Sequence, residues 1–185
     1  MGTSYNWFIW HEAFGNNANA AIYFTDAAKT TGYGTQPFGT FTTSSLVFNG
    51  VNDGVCGSYN YICWAWKNVP GVQKFGSYTG NGNANGPYIE CGFRPAMVFY
   101  KRTTDQTQNW QLYDDQQNPR NQASTRLSQN LSTEAVTGNG CDILSNGFKI
   151  RNSDSADNSD GKEWIYCAWA AAPSGGLYGG QSNAR

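Results

Sequence analysis

Charge is scarce in this sequence. Charged residues make up 14% of its 185, against about 25% in an ordinary soluble domain. The 12 Lys and Arg against 13 Asp and Glu leave a formal net charge of -1. The longest basic run is Lys101-Arg102, whereas a nucleic-acid binder displaces counterions with a basic stripe; nucleic acid is set aside as a partner. No stretch approaches the roughly 20 apolar residues of a membrane-spanning helix. The first fifteen residues lack a basic segment followed by an apolar core, so neither a membrane nor a secretion signal is read. Helix formers are thin: Leu, Glu and Lys are sparse and Met occurs 2 times. Cysteine spacing is unhelpful to a metal or redox reading. Cys56, Cys63, Cys91, Cys141 and Cys167 are odd in number and include no C-x-x-C pair, which points to buried free thiols ahead of a disulfide framework or a metal cluster.

What is present favours strands. Aromatics reach 15%, glycines number 22 and Asn is scattered from end to end, a mixture suited to strands and tight turns. Hydrophobic residues at 39% are enough to offset the ordering entropy of a compact body. A length of 185 residues allows one domain, or two small ones. Short strands are expected near Tyr5 to His11, Ala20 to Thr25, Phe41 to Phe48, Tyr59 to Trp66, Gln73 to Thr79, Pro87 to Cys91, Ala96 to Thr103, Trp110 to Asp114, Ser124 to Gln129, Cys141 to Arg151 and Glu163 to Ala170. Glu12 to Ala28 offers a weak helical alternative. Asn49-Gly50, Asn81-Gly82, Asn85-Gly86, Asn139-Gly140 and Asn146-Gly147 supply turn chemistry.

Trp164-Ile165-Tyr166-Cys167-Ala168-Trp169 has no polar residue alternating with the apolar ones, so it is expected to lie deep, covered on both faces. Tyr61-Ile62-Cys63-Trp64-Ala65-Trp66 reads the same way, and the likeness exposes a repeat. Asn6 to Trp10 matches Asn109 to Tyr113 at an offset of 103, and Tyr59 to Ala65 matches Trp164 to Ala170 at an offset of 105. Leu46 to Gly50 lies near the counterpart of Ile143 to Gly147. The chain divides into a first β unit over 1-70, a second over 71-172 and a Gly-rich tail over 173-185. The second unit opens with Phe93 to Thr103, for which the first has no counterpart. A sandwich lacking one strand leaves backbone groups to be paired, so an upstream segment, the tail, or a strand from another chain is expected to complete it, unless the first copy closes by itself.

An ordered series of motifs resembles a known family. Gly92-Phe93-Arg94-Pro95-Ala96-Met97-Val98 with Lys101-Arg102, Asn109-Trp110-Gln111-Leu112-Tyr113-Asp114, Leu127-Ser128-Gln129-Asn130, Leu144 to Lys149 and Trp164 to Ala170, with the linker Val69 to Gly82, look like the tandem lectin-like repeat of tailed-phage structural proteins. Such repeats occur in tail-fibre and virion surface proteins, particularly of marine bacteriophages. The resemblance covers nearly the whole chain. It implies an all-β fold, an antiparallel lectin-like or jelly-roll β-sandwich, with a virion role, no catalytic residues and no cofactor. The expected partners are copies of itself or other virion proteins. The alternatives are a glycan-binding module for host attachment and a secreted fibre subunit polymerised by strand donation.

The residues themselves give little chemistry. His11 is the single histidine and has no nucleophile elbow to serve. Asp114-Asp115 with Glu90 or Glu134 could be imagined as an acid and base, but adjacent carboxylates point to opposite faces or into a turn. The loop Asn152 to Gly161 carries Asp154, Asp157 and Asp160, oxygen-rich enough for calcium yet outside the EF-hand register; a solvated hairpin tip is expected, and no metal site is assigned. Trp64, Trp66, Trp164 and Trp169 are expected in the core, with Trp7 and Trp110 as equivalent anchors of the two copies. Tyr33, Phe38 and Tyr178 are left as candidates for stacking on a sugar.

Overall fold

The computed structural model describes residues 6–15, 20–31, 38–42, 45–48, 60–105 and 107–171. Among these the chain is all-β, and its helical content is a single 3-10 turn at Glu12–Phe14. The strands are β1 Phe8–Ile9, β2 Ile22–Tyr23, β3 Phe38–Phe41, β4 Leu46–Phe48, β5 Gln73–Thr79, β6 Tyr88–Glu90, β7 Pro95–Arg102, β8 Gln111–Asp114, β9 Ala123–Ser128, β10 Val136–Leu144, β11 Gly147–Ile150 and β12 Glu163–Ala170. Every pairing is antiparallel. Eight strands form one sheet in the order β5-β12-β7-β8-β9-β10-β11-β6, which curls into a nearly closed sandwich. Its two ends, β5 and β6, come within reach of each other: Lys74 Nζ donates to the Glu90 carbonyl at 2.8 Å.

Continuous apolar runs go to the centre of this sheet. β12 sits between β5 and β7. Its Trp164, Tyr166 and Ala168 point into the main core, with Tyr78, Ile89, Val98, Tyr100, Tyr113, Phe148 and Ile150. Its Ile165, on the opposite face, enters a second core. That second core is the contact between the sheet and the N-terminal segment: Phe14, Ala20 and Ile22, backed by Ile9, Trp10 and Phe24, cover Ile165, Trp110 and Phe99. The period of two along β12 therefore sorts its buried side chains between two apolar layers, while Cys167 and Trp169, the latter expected in the core, are only half-buried.

Polar groups tie the cover down. Trp110 Nε1 donates to the Tyr23 carbonyl at 3.1 Å, Lys29 N to Thr103 O at 3.0 Å and Gln108 N to Asp26 O at 2.8 Å. Lys101 is wholly buried on the outer face of β7, where its ammonium donates to the carbonyls of Asp26 and Gln108; burial pushes its amine down to about 8. His11 is buried too. Its Nδ1 accepts from Ala13 N–H at 3.1 Å, which leaves the proton on Nε2 to be donated to Tyr166 O at 3.3 Å. Desolvation lowers its pKa, so the ring is a neutral clasp between the 3-10 turn and β12.

Several expectations are corrected. The expected strand at 59–66 does not form: residues 60–68 take no regular secondary structure. The run expected over Phe41 to Phe48 is a hairpin, β3 with β4. Likewise Cys141 to Arg151 is split into β10 and β11 by the turn at Ser145-Asn146, as Asn146-Gly147 foretells. Asn139-Gly140 is not a turn; both lie inside β10, at an irregularity in its register against β9. A Cβ at Gly140 would run into the Ala123 carbonyl, so the close approach, not a turn, requires glycine there. Asn49-Gly50 falls outside the described residues.

The loop 152–162 is not a solvated tip. Asn152, Ala156, Asp157 and Asn158 are buried, because the loop folds in over one end of the sandwich and meets the loop 80–87. Asn158 Nδ2 donates to Asn81 Oδ1, Asn83 O and Asn152 O at 2.7 to 3.0 Å, and its Oδ1 accepts from Asn81 N at 2.8 Å. Removing that amide leaves the buried Asn152 carbonyl without this donor, at a cost of about 1 to 3 kcal/mol, and releases the exposed Asn81 and Asn83 from the loop. Asn158→Ala is expected to lose about 3 kcal/mol and to speed amide exchange across 80–86, read by hydrogen–deuterium exchange; unchanged protection there would refute the knot.

Candidate interaction surface

The sequence-predicted candidates scatter. His11 is occupied as described. Asp114 ends β8 and caps the following turn, accepting from Gln116 N and Gln117 N at 2.9 and 2.8 Å. Asp115 pairs with Arg94 at 2.7 Å, and Glu90 and Glu134 are exposed on other segments. Of the three loop carboxylates, Asp154 accepts from Ala156 N at 2.8 Å, Asp160 is exposed and Asp157 is buried. Among the described residues no group of His, Cys, Asp and Glu is placed to hold a metal ion. Cys91 and Cys141 are buried and Cys167 is half-buried, all free thiols raised in pKa by desolvation, Cys91 to about 11. Cys63 is exposed, and Cys56 lies outside the described residues. So do Tyr33 and Tyr178, while Phe38 falls within β3.

Asp157 is the most perturbed acid. Tyr100 Oη donates to its Oδ1 at 3.0 Å and Asn152 Nδ2 to its Oδ2 at 3.0 Å, with Arg126 at 3.4 Å from the same oxygen. Desolvation outweighs these favourable contacts and pushes its carboxyl up to about 6. Tyr78 donates to its backbone carbonyl at 2.9 Å. The site is enclosed by the knotted loops, so the arrangement braces the end of the sandwich.

What stands out instead is a surface that sequence reasoning assigned to the interior. Ile62 is 71% exposed, Trp64 62% and Trp66 60%, although 61–66 repeats the sequence of β12. The difference is one of neighbours. β12 owes its burial to β5 and β7 on its edges and to an apolar layer on each face. The described residues of the first unit supply no strand in the place that β7 holds beside β12. Trp7, the counterpart of the buried Trp110, is likewise 51% exposed. Its ring stacks on Trp64 at 4.9 Å and 13°, which joins Trp7 to the exposed stretch that carries Ile62, Trp64 and Trp66.

The root of this stretch is fixed. Asn68 Nδ2 donates to both carboxylate oxygens of Glu12 at 2.9 and 3.1 Å, and Asn68 Oδ1 accepts from Phe75 N at 2.6 Å. Gln73 Nε2 donates to Lys67 O at 2.8 Å. A tight turn follows, with Val69 and Gln73 bridged and Gly71 at φ 73, a left-handed conformation that suits glycine. Residues 60–66 carry no charge, and Lys67 and Glu12 flank them at the root.

The chain belongs to the family described as a domain of unknown function, DUF7483, whose model matches residues 1–173. No curated protein and no solved structure matches it.

Proposed function

We propose that this chain is a non-enzymatic structural protein of a phage-like particle, a tail-fibre or surface component that works through contacts between copies. The ordered motifs shared with tandem lectin-like virion repeats support the particle. The exposed apolar stretch at Ile62, Trp64 and Trp66 carries the assembly reading. A monomer rarely leaves a contiguous apolar patch of more than a few hundred Å² in water, and larger ones mark places where another molecule binds. The polar remainder of the surface, rich in Asn, Gln, Ser and Thr, suits the rim of such a contact.

Light scattering across a dilution series tests this. The mean mass is expected to rise from that of one chain at about 1 µM toward multiples of it at about 100 µM; a single-chain mass throughout would refute the reading. The polypeptide is also expected among the proteins of gradient-purified virus-like particles, by mass spectrometry. A second reading, attachment to a host glycan, is favoured by the Trp7–Trp64 pair, since exposed ring faces match the C–H face of a pyranose.

A further inference from the structure

Resting on that self-assembly reading, we infer that the stretch 61–66 is the seat of a closed two-fold dimer, in which it lies against the same stretch of a second copy, antiparallel, around Cys63 and Trp64.

The choice of partner for this stretch is narrow. Its sequence is that of a central strand, and β-rich apolar segments gain most by joining a sheet. The ends of the eight-stranded sheet do not offer a ready place. On β5 the amides of Gln73 and Phe75, which point away from β12, are taken by Val69 O and Asn68 Oδ1. On β6 the Glu90 carbonyl is taken by Lys74 Nζ. Lysine and side-chain caps on an edge are the usual means of discouraging strand addition there. The stretch itself carries no such guard: residues 60–66 are uncharged and exposed throughout. A surface that complements itself, with no charge to repel its own copy, favours an isologous contact, in which the same patch is used on both sides.

The area is sufficient. With aromatic side chains presenting up to about 150 to 250 Å² each, Trp7, Tyr61, Ile62, Trp64 and Trp66 at their exposures leave on the order of 600 Å² in water. Covering it in both copies buries roughly 1,200 Å², the lower end of the range for specific interfaces. The stacked pair Trp7 and Trp64 is of the residue type that dominates binding energy in such contacts. A two-fold contact also closes: it gives pairs and stops, whereas donating the stretch head-to-tail would give open chains.

The test uses the full chain and the double variant Ile62→Arg/Trp64→Arg, which adds charge on an exposed segment and leaves both cores intact. In sedimentation equilibrium the wild type is expected to fit a monomer–dimer scheme. The variant should weaken dimerisation by about thirtyfold or more, with the melting temperature at low concentration unchanged. A short bismaleimide is expected to link wild-type chains through Cys63 into dimers and to fail with Cys63→Ser. Assemblies that persist in the double variant, or an open ladder of sizes, would overturn the two-fold stretch contact while leaving self-assembly standing. A wild type that stays monomeric would sink both. Loss of retention on immobilised lipopolysaccharide by the variant, with no change of mass, would assign the tryptophans to a glycan and overturn the dimer.

Discussion

Replacing Trp164 by alanine is expected to lower the unfolding free energy by about 4 kcal/mol, and to lower the melting temperature by on the order of 10 °C for a chain of this size. The side chain is fully buried and stacks on Tyr78 at 5.2 Å and 5°. Its Nε1 donates to Ala156 O at 2.7 Å, and the Arg102 guanidinium lies over its ring at 5.8 Å. Truncation thus leaves a cavity in the main core and strands the Ala156 carbonyl on the buried loop. Trp64→Ala, measured at the same low concentration, is expected to change stability by less than about 0.5 kcal/mol, as exposed substitutions do. Urea unfolding of the two variants side by side decides it. Equal losses would mean that the exposed stretch is packed in solution; a loss below about 1 kcal/mol at Trp164 would contradict the stacked core.

The second expectation concerns acid. Asp157 has its carboxyl raised to about 6 from an ordinary value of 3.8. The folded protein therefore holds a proton there over a range of pH in which the unfolded chain has released it. The stability linked to this group is fully present below pH 3.8 and is lost as pH rises through about 6. A shift of this size corresponds to about 3 kcal/mol in full, of which about 2 kcal/mol falls between pH 4 and pH 7.5. Asp157→Asn removes the titration. The gap in unfolding free energy between wild type and variant should accordingly favour the wild type by about 2 kcal/mol more at pH 4 than at pH 7.5. A gap that does not move with pH would show that Arg126 and the hydrogen bonds from Tyr100 and Asn152 hold the carboxyl at its ordinary value. A gap of the opposite slope would show that they depress it.

Sequence patterning reveals composition and local periodicity, and those features of the fold were legible. The uninterrupted apolar run from Trp164 to Trp169 places β12 between two strands and two apolar layers, and Asn146-Gly147 marks the turn into β11. The same run at 61–66 misleads, because burial is a property of the neighbours and not of the run. Nothing local to Trp64 separates it from Trp169. The signal that could have separated them was Phe93 to Thr103, the segment that supplies β7 beside β12; among the described residues no strand takes that place beside 61–66. The loop 152–161 misleads for the converse reason. Asp, Asn and Ser read as solvated, yet here their short side chains bond one another and the main chain, so that Asp157 and Asn158 close the end of the sandwich. Pairings between distant parts of the chain such as Asn158 with Asn81, 77 residues apart, leave no trace in spacing.

The pairing of β5 with β12 carries a mechanical consequence. Trp169 faces Gln73 across that ladder, and Ala170 N bonds Val72 O at 2.8 Å, so the chain enters the sheet and leaves it at adjacent points on one side. Neighbouring entry and exit allow such a body to be spliced into a longer polypeptide as a side loop with little disturbance. They also fix how it yields. Tension along the backbone would draw β5 and β12 apart from their shared end, breaking the rungs in succession instead of shearing them all at once. A filament threaded through this unit would give way by peeling, at low force, and would extend before it ruptured.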